Sequence, residues 1–62
     1  MSVIEELHGQ IAATQERLAA AVEADQQYEA ARHRARLKDL IDMGARHGID
    51  IRAWVDDALL HG

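Results

Sequence analysis

Glu5 and His8 stand three residues apart. On a helix this spacing puts a carboxylate and an imidazole on one face, the pair a helix lends to a carboxylate-bridged metal centre. Such a centre needs more carboxylates, and Glu16, Glu23 and Glu29 give no register that gathers with both Glu5 and His8. The two are therefore read as exposed polar residues. His33, His47 and His61 are not at i, i+3 or i, i+4 spacing from one another, so they form no local metal pair either. The chain has no cysteine, no Gly-rich phosphate loop and no Ser/His/Asp set. No catalytic, cofactor-binding or metal-binding residue is assigned, and no cofactor is expected. A chain of 62 residues also leaves little room for an enclosed cleft, so an enzyme is not expected.

One basic run remains, Arg32-His33-Arg34-Ala35-Arg36-Leu37-Lys38. Helix residues follow one another at about 100°, so these bases wrap the helix and form no single stripe. Lys38 can pair with Asp42, Arg36 with Asp39 and His33 with Glu29, each worth about 0.2–0.5 kcal/mol. No aromatic residues interleave to stack on bases. The run reads as a solvated face, or as a partner for the acidic half of a neighbouring chain.

The elements carrying these residues are helical throughout, and the expected class is all-α. Residues 3–46 contain no proline, and their glycines are Gly9 and Gly44 near the two ends. The Ala, Leu, Glu, Gln and Arg between them rank high in helix propensity. Ser2 with Glu5 fits a capping box at the start, and Glu5 and Glu6 suit the positive end of the helix dipole. Ile4, Leu7, Ile11, Thr14, Leu18 and Ala21 then follow at 3-4-3-4-3 spacing, the seam of a coiled coil. The strict repeat fails at Asp25, Tyr28 and Arg32, and Val22 offers a shifted continuation. An apolar face resumes with Leu37, Leu40, Ile41 and Gly44, and Met43 stands beside it.

Near residues 25–27 the chain either continues as helix or turns into a hairpin. Gln is a good helix former, and no Gly, Pro or Asn marks a reversal, so one long helix over 3–46 is the expectation. It would be about 65 Å long. Arg46 and His47 suit a helix end, and Gly48 suits the left-handed residue beyond it. Asp50 is then the expected N-cap of a second helix over 51–61. Ile51, Trp54, Val55, Ala58 and Leu59 form its stripe, which would dock across the Gly48 corner with Gly44 admitting Trp54.

Ala45, Gly48 and Ile49, with Trp54 and Val55, resemble the turn of a helix-turn-helix. That resemblance implies a second helix reading the major groove with basic and amide side chains. Here the helix offers Arg52 and then Asp56 and Asp57, a poor surface for a polyanion. Nucleic acid is therefore not the expected partner.

Of the 30 residues behind the hydrophobic fraction of 48 %, twelve are alanine, and Tyr28 and Trp54 are the only aromatics. A core this thin, without disulfides, points to association as the stabiliser. Residues 1–62 thus read as a single helical association module. It would bury Ile4, Leu7, Ile11, Leu18, Val22, Leu37, Leu40, Ile41, Trp54, Val55 and Leu59 in a bundle formed by oligomerisation, a homodimer first of all, and would meet a protein partner through the C-terminal helix around Trp54. The alternative is a small acidic regulator or inhibitor of one larger protein. The net charge of −4 is unevenly spread, about −5 up to Ala31 and about +1 after it, which bears on partner orientation. No basic n-region precedes an apolar run, and no stretch nears the roughly 18 apolar residues of a membrane span, so a soluble cytoplasmic protein is expected.

Overall fold

The computed structural model describes residues 2–61, all helix and turns among them. Helix α1 (Val3–Glu23) starts where expected, with the Ser2 hydroxyl accepting the Glu5 N–H at 3.1 Å. It does not run on to Arg46. The chain reverses over residues 24–26, and helix α2 (Gln27–Arg46) returns antiparallel beside α1. The expected single helix of 3–46 is thereby corrected to a hairpin.

Asp25 makes the reversal at φ +56°. The Gln26 N–H donates to the Ala21 carbonyl at 2.9 Å, and the Asp25 N–H donates to Val22 at 3.1 Å. This is the Schellman arrangement, with aspartate in the place glycine usually holds. A left-handed non-glycine residue costs about 1–2 kcal/mol, and Asp is among the few that adopt it. The compensation is burial, at about 1.5–3 kcal/mol for each large aliphatic taken from water.

The seam reading of α1 identified the buried side but not its partner. Leu7, Ile11, Thr14, Leu18 and Ala21 are buried against Ala30, Leu37, Leu40 and Gly44 of α2 in the same chain. The Thr14 hydroxyl, polar in this apolar row, donates to the Gln10 carbonyl at 2.7 Å and so needs no partner across the interface. Ile4 and Val22 remain outside the core. One chain thus covers its own stripe, and the molecule measures 34 × 21 × 16 Å, about half the length of the expected rod in its longest direction.

Helix α2 ends as its sequence indicates. Gly48 takes φ +73°, the Ile49 N–H donates to Gly44 at 2.8 Å, and the Gly48 N–H donates to Ala45 at 3.1 Å. Beyond it the expected helix of 51–61 is not formed as one piece. Ile51–Trp54 is a short 3-10 turn, Val55 is extended, and helix α3 is only Asp57–Leu60. Asp50 makes no side-chain cap; Asp56 does, accepting the Ala58 N–H at 3.1 Å.

Side-chain geometry gives the reason for the break. On a straight helix Leu60 would fall roughly half a turn from Ile51, on the opposite side, yet Ile51 and Leu60 are both buried. Breaking the chain at Val55 turns both inward. The second helix required by the helix-turn-helix resemblance is absent among the described residues. Gly44 admits the Ile51 side chain rather than Trp54, since a Cβ at position 44 would collide with Ile51.

Two glycines should therefore respond in opposite ways. Gly44→Ala is expected to lower stability by about 1–3 kcal/mol, with Ile51→Val partly restoring it in the double variant. Gly9, where an added Cβ meets nothing within 4 Å, should gain up to about 1 kcal/mol as Ala. Urea unfolding followed by circular dichroism checks both.

Candidate functional site

The hairpin has two long faces, and the C-terminal segment straps one of them. The segment is attached by burial of Ile51 and Leu60 and, in addition, by polar contacts to its backbone. The Gln15 side chain spans the break at Val55, donating to the Trp54 carbonyl and accepting the Asp56 N–H, both at 2.9 Å. Those are backbone groups that an unbroken helix would have engaged itself, and they find partners on α1 instead. Arg34 donates to the Leu59 carbonyl at 3.0 Å, near the C-terminal end of α3, where a cation is favoured. The His8 ring meets Trp54 edge to face, with centroids 5.0 Å apart.

The residues expected to form an interface thus divide into three groups. Leu7, Ile11, Leu18, Leu37 and Leu40 belong to the internal core. Ile41, Trp54, Val55 and Leu59 are half-buried under and within the strap. Only Ile4 and Val22 are exposed. Tyr28, where the strict repeat fails, and Met43, beside the resumed apolar face, are exposed as well, and so is Val3.

The basic run wraps α2 as its spacing requires, and its members have separate surroundings. Arg34 holds the strap. Arg32 pairs with Glu29 at 3.3 Å, and Arg46 with Asp42 at 2.9 Å. These replace the expected His33–Glu29, Arg36–Asp39 and Lys38–Asp42 pairs. His33 and Arg36 line the unstrapped groove opposite Glu6, Gln10 and Arg17 of α1, while Lys38 lies on the strapped side with Ile41, Arg52 and His61. Among the described residues the ion pairs are all local along the chain, and none ties acidic α1 to basic α2. Burial of the seam, rather than charge, therefore holds the hairpin together.

Glu5 and His8 are both exposed, with no further ligand gathered around them. Among the described residues no three His, Cys, Asp or Glu side chains come together as a metal site. No described helix is long and apolar enough to cross a membrane. Sequence reasoning missed Gln15 and Arg34. Gln15 sits beside the Ile11 and Leu18 stripe, where a long amide is an ordinary surface residue until a broken chain lies across it.

Gln15→Leu should separate the strap from the hairpin energetically. About 1–3 kcal/mol is expected to be lost, amide hydrogen exchange at residues 50–60 should quicken well before that of α1 and α2, and Trp54 fluorescence should shift to the red. Uniform loss of protection across all helices would show that the strap and hairpin unfold as one. No protein-family model, curated protein or solved structure matches this chain, so its functional reading rests on its own surface.

Proposed function

We propose that the chain is a small non-enzymatic adaptor, a helical hairpin that closes its own core and meets a protein partner through its open end. The first partner to consider is another copy of itself. The observation carrying this reading is the position of the apolar surface the fold leaves over. Val3, Ile4 and Met43 are 63 %, 53 % and 42 % exposed, and all three lie where α1 begins and α2 finishes. Val3 and Met43 share a shallow groove of about 200 Å³ with Leu7, rimmed by Glu6 and Gln10. Isolated exposed aliphatics need no explanation, but an apolar cluster with a polar rim is how interaction sites are built. Val3 and Met43 with Leu7 between them make a small patch, Ile4 standing beside it outside the groove, so the contact is a weak one.

A second reading, a small acidic regulator of one larger protein, draws on a different face. At about 100° per residue, Glu5, Glu16 and Glu23 fall on one stripe of α1, turned away from α2, and all three are exposed. Such a stripe suits a basic partner.

Light scattering over a hundredfold range of concentration distinguishes the two. Under the first reading the wild-type mass rises above 6.9 kDa, and an Ile4→Glu/Met43→Glu variant holds that mass with unchanged helicity, since both positions lie outside the core. A wild type that stays at monomer mass throughout removes the first reading and leaves the second, because only self-association makes stability depend on the chain's own concentration.

A further inference from the structure

We infer that the turn between α1 and α2 is a hinge, and that the partner it serves is a second copy of this chain, bound by exchange of α1. The inference deepens the assembly reading but uses the internal seam rather than the open end. Two observations at the turn carry it. Asp25 is the one described non-glycine residue at positive φ, +56°. The helix it leads into starts without a cap, because Gln26 makes no side-chain hydrogen bond to the first turn of α2.

Both costs belong to the closed hairpin alone. Residues 23–27 read Glu-Ala-Asp-Gln-Gln, with no glycine or proline to enforce a reversal and mostly good helix formers. If this stretch straightens into helix, Asp25 leaves the left-handed region and the first N–H groups of α2 find carbonyl partners at the end of α1. Nothing in the core opposes the change once two copies meet. Leu7, Ile11, Leu18 and Ala21 of one protomer can lie on Ala30, Leu37, Leu40 and Gly44 of its partner, reproducing the contacts each hairpin makes with itself. Gln15 would then clamp the partner's strap. Short strained hinges between exchangeable elements are where domain swapping starts.

The exchanged form is not one straight rod. Continued along a single helix, the inward faces of α1 and α2 lie about a quarter turn apart. Two bundles therefore sit at an angle, joined by two helical hinges. Exchange requires the core to open, so monomer and dimer interconvert slowly and separate on a sizing column.

Substitutions at Asp25 should move the equilibrium in opposite directions. Glycine adopts the left-handed conformation freely, so Asp25→Gly should stay monomeric after refolding at high concentration. Alanine favours the helix, and Asp25→Ala should enrich the dimer; because each dimer contains two hinges, its dissociation constant should fall by about tenfold or more. Asp25→Glu carries the same sign more mildly should the alanine variant fold poorly. Column fractions are weighed by light scattering, and the distance between spin labels at residues 3 and 45 is read in dimers diluted with unlabelled chain. A hairpin gives a short distance within the chain, and the exchanged form one several times longer. Equal masses for wild type, Asp25→Gly and the helix-favouring variant overturn the proposal, as does a dimer in which that distance stays short. The Ile4→Glu/Met43→Glu variant leaves exchange untouched, so failure of the open-end contact and failure of the hinge are told apart.

Discussion

Everything in this molecule depends on α1 finding cover for one row of side chains. Leu7, Ile11, Leu18 and Ala21 alone could not hold a helix of this length in place, since short helices are marginal in water without tertiary packing. The cover comes from α2, whose own row contains two leucines and two very small residues, Ala30 and Gly44. Ala30 takes little room beside α1 and Gly44 leaves the space that Ile51 fills, so a few large side chains suffice. Ile11, Leu18, Leu37, Leu40 and Ile51 are the largest fully buried residues, and they lie along the length of the hairpin. A composition rich in alanine is thus compatible with a closed core, provided the helices pack closely.

The C-terminal segment adds what the two helices lack. Ile51 fills the notch at Gly44, and Leu60 adds a buried side chain further along. Breaking the segment at Val55 exposes backbone groups that would cost free energy if left unpaired. Gln15 takes up the Trp54 carbonyl and the Asp56 N–H, Arg34 takes the Leu59 carbonyl at the end of the segment, and together they bind the strap to both helices. Local regularity is lost so that two apolar side chains can be buried, and the Gln15 amide satisfies the backbone groups that the break leaves open.

Charge has a smaller part in the fold than the split between the two halves suggests. Acidic α1 and basic α2 lie side by side, yet the observed ion pairs run along single elements and are exposed. Exposed pairs of this kind contribute little to stability. On the proposed adaptor reading, these charges would order the approach of a partner, and the exposed apolar side chains at the open end would be what it meets.

The sequence by itself determined the helical class, the start at Ser2, the buried face of α1 and the end of α2 at Gly48. Each follows from local chemistry: a hydroxyl within reach of a free N–H, a period near 3.5, a glycine where φ must be positive. Tertiary structure alone decided the reversal at Asp25 and the break at Val55. At both places the local preference is for continued helix, and it is overridden by side chains distant in sequence that can leave water only if the chain turns. The partner of the seam was undetermined for the same reason. An apolar row shows which side of a helix must be covered, and a covering row within the chain has the same pattern as one on another chain.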